Sequence, residues 1–156
     1  MRLRYREGTW FAVPLRSGGF AVGLVARKGK RGAIFLGYYF GPVRDRVPTL
    51  EEVESLQPSE AAGIFRTGDL SFINGEWPHI GSSGSFVREQ WPFPIFVFKQ
   101  ELTETAWAIT YADDDPNRIV GQEAVRYETN LPSGGLYGAG AVEIVLTDAL
   151  AETRRH

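Results

Sequence analysis

The chain has 156 residues, 43% of them hydrophobic and 23% charged, with a formal net charge of -2. That is enough for one ordinary domain with a real core, and it excludes a disordered chain or one steered to polyanions by a global positive field. The absence of cysteine excludes disulfides, thiol nucleophiles and thiolate metal sites, and fits a reducing compartment.

The opening MRLRYREGTW lacks the apolar run of a signal peptide, and no stretch approaches the roughly 20 apolar residues of a membrane helix, so a cytoplasmic domain is expected. Eighteen glycines and 13% aromatics point to strands joined by tight turns. TWFAVPL at 9–15 and FAVGLVA at 20–26 read as a hairpin around Ser17, Gly18 and Gly19. Pro14 places an edge or a bulge near the end of the first strand. A basic turn, RKGKRG, leads into a third strand, AIFLGYYF at 33–40, completing an antiparallel meander.

GPVRDRVP then reads as a loop. TLEEVESLQ at 49–57 carries a helix start: Thr49 is a good N-cap, Glu52 completes a capping box, and Leu50, Val53 and Leu56 fall at helical spacing. GIFRTGDLSFI at 63–73 is expected to return to strand, with Asn74-Gly75-Glu76 as a hairpin turn. GSSGSFVREQWPFP reads as an irregular loop. IFVFKQEL at 95–102 and TAWAITYA at 105–112 are two further strands, DDDPN at 113–117 is a turn, and RIVGQEAVRYE adds a short strand. In GAVEIVLTDALAE the apolar residues fit both periods; the preferred reading is strand to about Leu146 with helix character after it. The expected fold is α+β, mostly β: a single domain over 1–156 with an antiparallel sheet or partly open barrel and one or two short helices.

Within FINGEWPHIG at 72–81, Glu76, Trp77, Pro78 and His79 bring an acid, a large ring and an imidazole close together. Sequence adjacency does not make an acid–base pair, and a tryptophan beside a turn most often plugs a core. Gly81-Ser82-Ser83-Gly84-Ser85 lacks the last glycine of a nucleophile elbow and sits in a loop. Asp113, Asp115 and Asn117 open a calcium-loop spacing, but Arg118 replaces the turn glycine and Ala124 the bidentate carboxylate. His79 and His156, the only histidines, make no zinc set. Gly29-Lys30-Arg31 fails the phosphate-loop pattern, as does Gly138-Ala139-Gly140 with Glu143 where a glycine would stand. Neither a cofactor nor a metal is expected.

Taken together, EGTWFAVPLRSGGFAVGLVAR with its Gly23-Leu24-Val25 element, GYYFGP, GDLSFINGEWPHIG and GLYGAGAVEIVL resemble segments of the bacterial immunity protein 26 family, from about Glu7 to Leu146. The resemblance implies a small protein that binds and silences a cognate toxin of a polymorphic toxin system, with no catalytic residues. It also implies shape-giving roles for Gly75, Trp77 and Pro78; Trp10 is placed with them as structural. A toxin-binding surface is expected to draw on Glu51, Glu52 and Glu54, on Asp113, Asp114 and Asp115, and on Trp91 and Phe93 as aromatic anchors; Glu101, Glu104 and Phe96 are further possibilities. Charged helix faces and turns are more often merely solvated. The alternative is a small β-barrel module that binds nucleic acid or a peptide through GYYF and RKGKRG. An enzyme that joins Glu76 and His79 to a distant residue ranks third.

Overall fold

The structure, a computed structural model, describes residues 4–151; His156 lies outside the described residues. β1 (Thr9–Pro14), β2 (Phe20–Lys28) and β3 (Ile34–Arg44) form the meander. β4 (Gly63–Gly68), β5 (His79–Ser82) and β9 (Leu136–Tyr137) extend it to a six-stranded sheet in the order β5-β1-β2-β3-β4-β9. Only the β4–β9 pair is parallel. A second sheet, β6-β7-β8, consists of β6 (Phe96–Gln100), β7 (Thr105–Ala112) and β8 (Asp115–Val125), all antiparallel. Neither sheet closes into a barrel, and the architecture is α+β, mostly β.

The central strands read as unbroken apolar runs because both faces of the large sheet are covered. Successive side chains alternate between faces. Phe11, Val13, Val25, Phe35 and Tyr39 face one core with Phe72, Trp77, Val142, Leu146 and Leu150. Trp10, Val22, Leu24, Leu36, Tyr38 and Phe40 face a second core with Val53, Trp91, Phe96, Ile109 and Tyr111. Helices α2 (Leu70–Ile73) and α3 (Ala139–Ala149) therefore cover one side, while α1 (Leu50–Val53) and the β6–β8 sheet cover the other.

Close approach across the sheet explains Gly23. It stands opposite Phe11 in the ladder, and a Cβ there would lie 2.3 Å from the Phe11 ring. The ring, lying over the glycine, stacks on Trp77 at 5.6 Å and 5°. Pro14 lies in an interior strand, but β5 reaches only Thr9–Phe11, so the proline falls past the end of its neighbour.

Four local expectations are corrected. GPVR is the end of β3 rather than a loop: Arg44 pairs with Phe20, and a register shift between Phe20 and Val22 accommodates the segment carrying Pro42. Residues 70–73 form helix, not strand, and Asn74-Gly75 ends it instead of turning a hairpin. Gly75, at φ +84, donates its N–H to the Phe72 carbonyl, the left-handed stop that glycine provides most cheaply. The early helix covers only Leu50–Val53, shorter than 49–57, although Glu52 does accept from the Thr49 N–H. Finally, 139–149 is helix throughout. Val142, Leu146 and Leu150 are buried while Ile144 is 50% exposed, a helical stripe that a strand would not produce. RIVGQEAV, expected as a short strand, belongs to the eleven-residue β8.

Trp77 is fully buried, and its Nε1–H donates to Glu143 Oε2 at 2.9 Å, tying α2's exit to α3. Trp77→Ala is expected to destabilise the fold by about 3–5 kcal/mol in urea denaturation. Glu76→Ala, at an exposed position, is expected to stay within about 0.5 kcal/mol of wild type.

Candidate functional site

The FINGEWPHIG segment is occupied by packing. Pro78 offers its carbonyl to the Ala12 N–H at 2.8 Å, and His79 pairs with Phe11 to start β5. The imidazole lies 4.5 Å from the Phe72 ring, where burial pulls its pKa down and favours the neutral form. Glu76 is exposed, and among the described residues no hydrogen bond or ion pair joins it to His79. Gly75 ends α2, and Trp10 lies in the second core against Phe40 and Trp91. These side chains shape the scaffold.

Of the expected aromatic anchors, Trp91 is interior and Phe93 is partly buried. Trp91 is 6% exposed and meets Tyr38 edge-on at 5.0 Å and Trp10 at 6.1 Å. Phe93 stacks on Tyr111 at 5.7 Å, and Phe96 is buried beside both. Their apolar area is spent on joining the small sheet to the large one.

Among the acidic candidates, Glu101 and Glu104 are exposed between β6 and β7, while the α1 and β7–β8 carboxylates form two separate groups with no hydrogen bond or ion pair between them among the described residues. In the α1 group, Glu52 accepts from the Thr49 N–H and from Arg46, which brings its carboxyl down to about 2. Glu51 and Glu54 are exposed, and Glu54 lines a shallow cleft of about 130 Å³ with Trp10, Phe86, Gln90 and Trp91. At the β7–β8 turn, Asp113 accepts from two guanidiniums, Arg27 Nε at 2.9 Å and Arg88 Nη1. Arg27 is only 3% exposed, and its remaining donors reach the Ala26 and Arg88 carbonyls. Arg88 in turn holds Glu7 at 2.8 Å. Partial burial raises the Asp113 pKa, but the hydrogen bonds from Arg27 and Arg88 more than reverse this and hold it low. Asp114 pairs with Arg118, and Asp115 accepts from the Asn117 N–H, so no two of the three aspartates share a partner.

Sequence reasoning missed the apolar surface of the small sheet. Phe98 and Trp107 face each other across β6 and β7 at 37% and 42% exposure, and Ile119 and Val120 on β8 are half exposed. The alternation in TAWAITYA carries a partial signal, since Trp107 shares a face with buried Ile109 and lies beyond the large sheet's cover. Residues 95–130 also hold seven acidic and three basic residues, a formal charge of -4 against -2 for the whole chain. Basic residues gather at a cleft of about 550 Å³, lined by Arg4, Lys28, Lys30 and Arg31 around Tyr5 and Asp69. Tyr5 donates to Asp69 at 2.6 Å, and burial with that acceptor raises the phenol pKa. Among the described residues, no helix is long and apolar enough to cross a membrane.

A family model described as Immunity protein 26 matches residues 6–108. The chain belongs to this family. No curated protein and no solved structure matches the chain. The match runs from just before β1 into β7, so the Imm26 portion includes Trp10, Trp77, Trp91 and the α1 carboxylates. Asp113–Asp115, β8 and α3 follow it. Membership identifies an immunity-protein scaffold and points to a role other than catalysis.

Asp113→Asn is expected to cost about 1–2 kcal/mol at pH 7, because it withdraws a charged acceptor from buried Arg27 while solvent screens the half-exposed pair. The Asp113 pKa is depressed on folding, so its contribution is present above the unfolded value near 4 and is lost as pH falls through the folded value. The stability gap between wild type and variant is therefore expected to narrow below about pH 4, as read by urea denaturation across pH.

Proposed function

We propose that this Imm26 protein binds a cognate bacterial toxin of a polymorphic toxin system in the cytoplasm and neutralises it by occluding a surface the toxin needs. Family membership over residues 6–108 carries the reading. The distribution of side chains supports it: the aromatic residues of the two cores are committed to packing, and the exposed apolar residues gather on an acidic small sheet. A basic toxin, such as one that acts on nucleic acid, fits that charge.

The site residues divide by what they already do. Asp113, Asp114 and Glu52 already pair with arginines of the chain, whereas Glu51 and Glu54 are exposed and, among the described residues, in no ion pair. The basic cleft at Arg4, Lys28, Lys30 and Arg31 favours a second reading, a module that binds nucleic acid. Oligonucleotide binding that weakens steeply with salt, without any effect on toxin action, would support the module over the inhibitor.

Co-expression tests the main reading. The toxin encoded beside this gene is expected to arrest bacterial growth alone, and this protein to restore it; a soluble pair without rescue would overturn the proposal. Charge reversal at Glu51 or Glu54 is expected to slow association more than it speeds dissociation, with the difference shrinking as salt rises. Stopped-flow association rates at two ionic strengths measure it.

A further inference from the structure

Three of the four sheet edges are short or covered. β5 has four residues and β9 two. On β6, Val97 donates to the Pro132 carbonyl at 2.9 Å and accepts from the Gly134 N–H at 2.7 Å, so the chain itself lies along that edge. β8 differs. It runs for eleven residues, and among the described residues it has β7 as its only strand partner.

The start of β8 is clamped, because Arg66 Nε donates to the Pro116 carbonyl at 2.8 Å. Beyond it, Arg118–Val125 reads RIVGQEAV, with no proline or lysine to blunt the edge. One register shift falls at Val120, inside this stretch, and the other nearer the clamp; Gly121–Val125 remain in regular pairing. An unpaired edge of this length and apolar character is a hazard that natural sheets usually remove, and it is also the template on which a partner strand adds.

The face beside this edge has a matching feature. Thr110 pairs with Gly121 and Ala108 with Glu123, so all four share one face of the sheet. There they and Ile95 line a depression of about 250 Å³, left open where Gly121 has no side chain. Ile95, Ala108 and Gly121 give it an apolar part beside Thr110 and Gln122, and its rim carries the Glu123 carboxylate, which has no ion-pair partner among the described residues. A lysine or arginine suits such a place, laying its methylene stem on the floor and its charge at the rim. The formal charge of -4 over residues 95–130 favours the same sign of partner.

We propose that the outer edge of β8, at Arg118–Val125, receives a basic β-strand of the toxin as a fourth strand of the small sheet, with one lysine or arginine seated over Gly121 against Glu123. This deepens the toxin-binding reading and rests on it. The added strand satisfies the outward backbone groups of β8, and the depression selects the side chain.

Amide hydrogen exchange on the full chain tests the proposal. One arm uses the toxin domain encoded beside the gene, and another a synthetic Thr-Lys-Val-Lys-Val-Thr peptide. With either probe, alternate amides within 118–125 are expected to slow at least about tenfold. Glu123→Lys and Gly121→Val are both expected to keep the circular dichroism of the wild type and to weaken toxin binding at least about tenfold. Rescue and tight binding with 118–125 exchanging at the free rate would overturn this inference and leave the inhibitor reading intact. Wild-type protein that neither binds nor rescues would overturn both. Concentration-dependent protection without toxin would assign the edge to a second copy of this chain, and equal slowing by Thr-Glu-Val-Glu-Val-Thr would overturn the basic-strand assignment.

Discussion

Burial of both faces of the six-stranded sheet is the constraint on which the rest of the structure depends. An antiparallel sheet with one wet face would alternate apolar and polar residues; β1, β2 and β3 do not alternate because each side needs an apolar cover. The chain supplies two covers of different kinds. One side is closed by short helices and the Phe11–Trp77 stack, the other by α1 and a second sheet docked through Trp91, Phe93, Phe96, Ile109 and Tyr111. Every aromatic run in the sequence is accounted for by one cover or the other, with Phe98 and Trp107 left at the margin.

Two buried arginines fix the small sheet against the large one. Arg27 projects from β2 to Asp113, and Arg66 from β4 to the Pro116 carbonyl, with its guanidinium 4.1 Å from the Tyr111 ring centre. One charge terminates on the turn between β7 and β8, the other on the start of β8. A buried guanidinium is stable only where its donors find acceptors, and this short run supplies a carboxylate and a carbonyl at the required places. The acidic turn is therefore a clamp on one side and a solvent-facing surface on the other, carried by different residues of one short run.

That clamp holds one end of a hairpin whose other end extends past the core. The geometry gives an exposed strand a defined position at the end of a clamped hairpin. The charge asymmetry follows the same division, with basic residues around Tyr5 and Asp69 and acidic residues along the small sheet. An immunity protein needs no convergent catalytic groups, and the side chains that most resembled them, Glu76 and His79, are separated by role: one is solvated and the other packs on Phe72.

The strands of the meander, β6 and β7, the Thr49–Glu52 cap and the α+β class were legible from the residues, because local periodicity and turn chemistry act within a few positions. The family was legible too, through short apolar segments that encode the scaffold. Where two local readings were equally compatible, tertiary structure decided. Val142, Leu146 and Leu150 form a helix because the large sheet offers them one stripe to bury against, and Asn74-Gly75 ends a helix because Phe72 and Trp77 must reach the same core. Trp91 became interior and Phe93 partly buried for a related reason: exposure is a property of what packs above a residue, and the docking of the second sheet is written in no local pattern. The open edge of β8 belongs to this class as well. The sequence alone determined that a strand forms there, and only the arrangement of the two sheets left its outer edge, among the described residues, without a neighbouring strand.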